Sequence, residues 1–279
     1  MGSVTLTLKS ALSLRVDLRG ITPAALAGLA RHEIEALPVT QGRDALALAD
    51  LFTVTDSNWS ADGVDELVFE GDLSRADRIG WQLGGGRVVV HGDAGDYVGG
   101  GMKAGEIHVD GNAGALAACE LAGGTVTIVG DVGEYAASTL PGSMDGMRGG
   151  TFIVHGNAGD RFADRMRRGS ALVHGRAGDF LASRMVAGTV AVGGGAGAHV
   201  GYGMRRGSVV LVDAAGGVAP GAVADTFVPA IVDAAVFWQL LSRDLARHGG
   251  PFAGLDKRRV ERHLGDLGVG GKGELIYAR

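Results

Sequence analysis

The 279-residue chain has one cysteine, Cys119, which excludes an intrachain disulfide and any iron–sulfur or multi-cysteine metal site. Aromatic residues make up only 5% and there are six prolines, so a core must be built from small and aliphatic side chains. Positive charge is not in surplus: 26 Lys and Arg stand against 31 Asp and Glu, a net charge of −5. No bulk attraction to nucleic acid or to an acidic membrane surface is expected. No uncharged apolar run reaches the ~18 residues of a membrane span. The opening MGSVTLTLKS lacks the basic start and apolar stretch of a secretory signal. The expectation is a soluble, cytoplasmic protein.

What the chain has is glycine: fifty of them, roughly two and a half times the usual share of about 7%. They are periodic. Gly86, Gly105, Gly124, Gly150, Gly169, Gly188 and Gly207 follow one another in steps of 19, 19, 26, 19, 19 and 19. Further glycines fall six and nine residues after each of the first six, as in Gly111-Asn112-Ala113-Gly114 and Gly156-Asn157-Ala158-Gly159. A fixed short period is the mark of a stacked repeat. Two and four residues after each opening glycine lies an apolar pair such as Val88/Val90 or Ile107/Val109, the alternation of a strand with one buried face. Leu83, Met102, Leu121, Met147, Met166, Met185 and Met204 form a second inward column three residues before it. A third column, thirteen residues on, is always glycine or alanine, as if the backbone there approaches a neighbour. The corners are read as left-handed turns, which Gly, Asn and Asp tolerate.

A unit of 19 residues is too short to contain a helix pair. It predicts a right-handed β-helix of about seven rungs over 66–213, mainly β, with rungs about 4.8 Å apart. An α/β cap over 1–65 precedes it, with strands at Val4–Leu8 and Ala45–Val54 and a helix from Thr22-Pro23 to about Ala36. A helical extension over 214–279 follows. One helix is expected over Ile231–His248, with Val232, Val236, Leu240 and Leu241 at helical spacing, and a second over Asp256–Leu264. The two ends are expected to cover the open edges of the stack.

No catalytic constellation is visible. The triplets 84–86 and 193–195 look like phosphate loops only in isolation, because the period already explains their glycines. His91, His155 and His174 share one column, so His155 and His174 should stack, yet no third metal ligand converges on them. Cys119 has no histidine companion. Val89, Ile153, Leu172 and Val210 should face outward and need a cover, from a terminus or another chain. The register breaks once, at a seven-residue insertion within 138–147, a natural outward loop. The most suggestive residues flank the methionine column: Lys103, Arg148, Arg165, Arg167, Arg168, Arg184, Arg205 and Arg206. Stacked on one edge they make a positive stripe, suited to carboxylates or phosphates. The alternative is a solvated rim balanced by Asp160, Asp164 and Asp179.

The glycine period, the Gly-Asn-Ala-Gly corners and the endings Gly101-Met102-Lys103-Ala104-Gly105, Gly146-Met147-Arg148-Gly149-Gly150 and Gly203-Met204-Arg205-Arg206-Gly207 resemble the glycine-repeat domain of glutamate synthase large subunits. They resemble still more the C subunit of formylmethanofuran dehydrogenase, as does the closing segment 271–276. The resemblance implies a scaffold protein without a catalytic site or metal of its own. It implies a molybdenum or tungsten enzyme in methanogens, and in methylotrophic bacteria a formyltransferase/hydrolase complex with formyltransferase and amidohydrolase-like subunits. The Ala-, Gly- and Arg-rich composition tilts the reading to the hydrolytic branch. The cofactor at the level of the complex would be methanofuran or methylofuran, whose polyglutamate tail makes the arginine stripe a candidate track.

Overall fold

The computed structural model describes residues 2–57, 65–212, 223–231 and 234–278. In the first strand, β1 (Ser3–Leu8), Val4 and Leu6 are buried and their neighbours half-exposed. A short β2 (Val16–Asp17) follows. The helix expected over 22–36 is two separate turns, α1 (Pro23–Leu26) and α2 (Arg31–Glu35). Thr22 does cap α1, accepting the Ala25 N–H at 3.3 Å, and Pro23 sits in its first turn. Gly28, at φ 78°, lies just beyond the end of α1, in a conformation no helix can continue through. The strand expected over 45–54 is also divided. β3 (Pro38–Gln41) and β4 (Asp44–Ala47) pair as a hairpin, α3 (Leu48–Leu51) makes one turn, and β5 (Phe52–Ser57) returns along β1. The break comes from Asp50, whose carboxylate accepts the Ala47 N–H at 2.9 Å and closes a capped turn.

The rest of the sheet is built unit on unit. β6 (Glu66–Glu70) follows, then β7 (Ala76–Asp77), which joins the short sheet of β2 to β4. The repeat strands come next: β8 (Gly84–His91), β9 (Ala104–Val109), β10 (Thr125–Ile128), β11 (Arg148–Val154), β12 (Arg168–Val173), β13 (Thr189–Val192) and β14 (Ser208–Val212). Each pairs in parallel with the next at the repeat register, so Val88, Ile107, Val126, Phe152, Ala171, Val190 and Val209 form one buried file. A second file of single bridges runs Leu73, Ala94, Ala113, Val132, Ala158, Ala177 and Ala196. A third is carried by hydrogen bonds such as Ala118 N–H to Val98 C=O at 2.7 Å and Ala182 N–H to Phe162 C=O at 2.8 Å. The fold is therefore mainly β, dominated by one large mixed sheet. Met102, Met147, Met166, Met185 and Met204 are fully buried between these files, each burial worth about 1.5–3 kcal/mol.

The corner glycines have a different cause from the one expected. Gly92 has the expected positive φ, at 140°, but Gly111, Gly114, Gly130, Gly133, Gly156, Gly159, Gly175 and Gly178 do not. Their hydrogens face the unit below: a Cβ on Gly130 would stand 2.4 Å from Asn112 Oδ1, and one on Gly178 2.2 Å from Asp160 Oδ1. The Asn and Asp of each corner use that proximity. Asp93, Asn112, Asp131 and Asn157 each accept the backbone N–H of the residue stacked on them, at 2.7, 2.8, 2.6 and 2.9 Å. Left-handed backbone occurs elsewhere, notably at Tyr97, Leu116, Tyr135, Arg161, Phe180 and His199, and at Ala118, Ala137, Ala163 and Ala182. The column of tiny residues is thus both crowded and left-handed.

At the far end, β15 (Val228–Pro229) leads to α4 (Ala235–Ala246) and then β16 (Val260–Gly265) and β17 (Gly273–Ala278). β17 adds in parallel to β14, and β16 and β15 follow antiparallel. The expected helix over 231–248 is shorter: Ile231 is fully exposed coil, and Val232 lies outside the described residues. Its inward face is Trp238, Leu241, Ser242 and Leu245, whereas Val236 and Leu240 are exposed. The helix expected over 256–264 is β16, preceded by a single 3-10 turn at Leu255–Lys257. Pairing with β17 decides this, since its partner strand outweighs any local preference. The segment covers Leu172, Ala191 and Val210, which are buried against Trp238, Leu245, Phe252, Leu255 and Ile276. Those outward residues are covered by the chain's own terminus. Val89 is also buried and Ile153 half-buried.

His155 and His174 do stack, Nδ1 to Nδ1 at 3.2 Å, and His91 instead meets Asp110 at 2.6 Å. Phe252 packs edge-on against His174 at 5.2 Å. Burial, then the nearby His155 and His248, push the His174 imidazole down to about 4. In the unfolded chain it titrates near 6.5, so between those values the unfolded state holds the extra proton and stability falls as pH falls. Thermal melts should therefore drop from pH 6.5 to pH 4, and His174→Gln should flatten that slope. A second prediction tests the corners. Gly178→Ala should cost about 1–3 kcal/mol in urea unfolding. Gly84→Ala, with no atom within 4 Å of the new methyl, should stay within about 0.5 kcal/mol.

Candidate functional site

The residues just before each opening glycine follow the methionine column, so their side chains leave the stack along one edge. Arg148, Arg167, Val186 and Arg205 recur at 19-residue steps, with Arg168, Ala187 and Arg206 beside the last three. The N–H groups of Arg148, Arg167, Val186 and Arg205 bond to Leu121, Met147, Met166 and Met185 of the unit below, at 2.6–2.8 Å. Val186 and Ala187 interrupt the arginines and form the floor of a cleft of about 610 Å³ walled by Arg148, Arg167, Arg168, Arg205 and Arg206. A second cavity of about 660 Å³ shares Arg167, Val186 and Arg205 with it and adds Arg165, Arg184, Met144, Tyr202, Asp266 and Val269. A third, about 450 Å³, lies under the insertion between Leu140 and Arg165.

The arginines divide into two kinds. Arg184 grips Asp164 with Nε and Nη2 at 3.0 and 2.7 Å, and Asp164, only 1% exposed, also accepts the Ser183 hydroxyl at 2.5 Å. This is a bidentate pair with a buried carboxylate and a part-exposed guanidinium. Arg165 reaches the Met144 sulfur at 2.6 Å, and Arg167 the Asp145 carboxylate at 2.5 Å, so both hold the insertion. Arg148 meets Glu120 at 3.4 Å. No carboxylate among the described residues pairs with Arg168, Arg205 or Arg206. Of the acids expected to balance the stripe, only Asp164 does so. Asp160 and Asp179 accept backbone N–H groups of the next unit, at 2.7 and 2.8 Å. Lys103 is exposed in the same column but stands beyond Ala122 and lines none of these cavities.

Several groove residues carried no sequence signal. Val269 and Asp266 come from the C-terminal segment, more than 60 residues from Gly203 in sequence. Asp266 is buried, which works against its charge. Hydrogen bonds more than offset this, among them those from the Gly203 and Gly268 N–H groups at 3.1 and 2.9 Å, and its pKa lies below the usual carboxylate range. Val186 had a signal, as the single apolar break in an arginine file. Elsewhere the structure offers little reactive chemistry. Burial pushes the Cys119 thiol up to about 12, and no group of three His, Cys, Asp or Glu placed to hold a metal occurs among the described residues. No helix there is long and apolar enough to cross a membrane.

Comparison with known proteins agrees with this architecture. The GXGXG-motif family matches residues 78–226. A solved formyltransferase/hydrolase complex, FhcABCD from Methylorubrum extorquens with methylofuran, contains a chain that superposes with a TM-score of 0.89 at 42% identity, covering 99% of each chain. The chain belongs to this C-subunit family. The C subunit of the Fhc formyltransferase/hydrolase complex of Methylorubrum extorquens is 44% identical over 91 residues, 33% of this chain and 32% of that protein. The C subunit of the molybdenum-containing formylmethanofuran dehydrogenase 1 of Methanosarcina barkeri is 33% identical over 98 residues, 35% and 33% of the two chains. These aligned segments span about a third of those curated relatives. Within the family the stripe's two classes of arginine can be separated by stability. Asp164→Ala, which leaves the buried Ser183 hydroxyl without its acceptor, should cost about 1–3 kcal/mol. Replacing Arg168, Arg205 and Arg206 together by alanine should leave the melting temperature unchanged or raise it, since their like charges repel.

Proposed function

We propose that this chain is the non-catalytic C subunit of a cytoplasmic formyltransferase/hydrolase complex, assembled with formyltransferase and amidohydrolase-like subunits. Its fold, in this reading, is a right-handed β-helix of about seven 19-residue rungs that serves as scaffold. The arginine edge holds the polyglutamate arm of a furan cofactor, methanofuran or methylofuran. The observation that carries the reading is the full-length superposition at 42% identity on a chain of a complex crystallised with methylofuran. Arg168, Arg205 and Arg206, without acidic partners among the described residues, support the second half: a cation surplus facing solvent is an anion site, whereas a balanced rim is not.

Purification of the tagged chain from its own cells in native buffer should bring down formyltransferase and amidohydrolase-like subunits. A stable lone monomer would overturn the assignment, and molybdenum or tungsten with iron–sulfur clusters in the isolate would move it to the dehydrogenase branch. Val186→Glu places a carboxylate between Arg167/Arg168 and Arg205/Arg206, satisfying them from within. Together with charge reversal of Arg168, Arg205 and Arg206 in a separate variant, it should lower cofactor retention on the order of tenfold or more at low salt, with the make-up of the complex unchanged. Full retention in both variants would remove the track.

A further inference from the structure

Helix α4 is apolar on two faces. Its inward side, with Trp238, Leu241 and Leu245, packs on the outward file of the stack at Leu172, Ala191 and Val210. A helix that spends one face on a core ordinarily turns polar residues to water on the other. On α4 the other side carries Val236, Phe237 and Leu240, which are 72%, 41% and 65% exposed and lie at the i, i+1, i+4 spacing of one stripe. Ile231, shortly before the helix, is fully exposed, and Val228 is exposed as well. Of the twelve large apolar side chains exposed among the described residues, five thus fall within 228–240. Scattered exposed apolar residues are ordinary, whereas a run of them on one element marks a covered surface.

The charge around this patch is opposite in sign to that of the chain. Residues 234–262 carry six Lys and Arg against three Asp and Glu, a surplus of three positive charges in a protein of net charge −5. Arg243, in the last turn of α4, is exposed, as are Lys257 in the 3-10 turn that packs on α4 and Arg259 just beyond it. No carboxylate among the described residues pairs with any of these three. Arg247 meets Asp244 at 3.5 Å, with both side chains largely exposed. The helix dipole favours Arg243 and Arg247 where they stand, but it gives no account of Lys257 and Arg259.

We infer that the outer face of α4 is a docking surface for another subunit of the complex, a protein chain presenting an apolar groove bordered by carboxylates. An aromatic anchor among aliphatic side chains, inside a charged rim, is the anatomy of a protein interface. A second copy of this chain is the wrong occupant, because a two-fold contact sets the patch against itself and brings the two positive surpluses together. The patch is also separate from the arginine edge, since none of its residues lines the three cavities there. The inference rests on the proposed assembly, and adds which face of this chain meets a partner and what that partner offers.

The test uses the complex isolated from the protein's own cells, with the photo-crosslinking substitution Gln239→p-benzoylphenylalanine at an exposed position of α4. Irradiation should join the chain to a peptide of another subunit, apolar and flanked by Asp or Glu. Val236→Glu with Leu240→Glu should lower retention of that subunit on the order of tenfold or more, with the melting temperature of the isolated chain unchanged. Arg243→Glu with Arg259→Glu should lower it about tenfold at low salt and less at high salt. Leu14→Glu, at an exposed apolar residue remote in sequence, should change nothing. If Val236→Glu with Leu240→Glu lowers the melting temperature, the crosslink and the arginine pair decide the matter. A crosslink to a second copy of this chain overturns the inference, and so does full retention of every subunit in both double variants, the proposed function standing in either case. Co-sedimentation with phosphatidylserine vesicles that Val236→Glu with Leu240→Glu abolishes, while the subunits stay bound, also overturns it and gives the face to a membrane surface. A lone chain without other subunits overturns the proposed function and this inference together.

Discussion

The close approach of successive units at the glycine corners is the constraint on which the rest of the structure depends. There the chain turns with so little space above the previous unit that even a methyl group would collide with it, at 2.1–2.5 Å from an oxygen at most of these corners. That proximity lets a corner Asn or Asp accept the N–H of the unit stacked above it, so the sharpest part of each unit is hydrogen-bonded without being a strand. Lose the glycine and the spacing opens; lose the spacing and the ladders at the other two files fall out of register. Buried methionines and valines fill the interior, but their columns are consequences of this stacking distance.

The same stacking makes a functional edge out of residues that are merely periodic in sequence. Side chains at one position of the unit emerge in a file, so an arginine repeated at that position becomes a concentration of charge. Whether that charge is available depends on which acids reach it. Asp164 lies one residue before the left-handed Arg165, is almost wholly buried, and neutralises Arg184. Asp160 and Asp179, only a few residues away, are consumed by the corner ladder and leave the rim unbalanced. Structural need and binding capacity therefore draw on the same kind of side chain, and at Asp160 and Asp179 the corner holds it.

The repeat region was legible because period and burial coincide there: Val88, Ile107 and the methionine column were identifiable from spacing alone and are buried. The glycine corners were located correctly and, Gly92 apart, explained wrongly. Sequence shows that only glycine is accepted, yet left-handed backbone and lack of space leave the same signature, and only the contact to Asn112 or Asp160 separates them. The flanking regions were harder. The segment 256–264 has helix-compatible composition and becomes a strand because β17 offers it a partner, and 22–36 breaks at a left-handed glycine. Of the candidate site, the arginines could be found by counting, whereas Met144, Tyr202, Asp266 and Val269 share no period with them.

By itself the sequence determined the unit: its length, its inward faces, its forbidden corners and the file of arginines, all of which are local in the unit and repeated. Tertiary structure decided what happens between units and at their ends. It set which carboxylate meets which guanidinium, packed α4 and the turns after it over Leu172 and Val210, and placed Val269 and Tyr202 around one cavity. The physical reason is range. A repeat encodes contacts at a fixed separation of 19 residues, and the pairings that shape the groove join residues at separations no period contains.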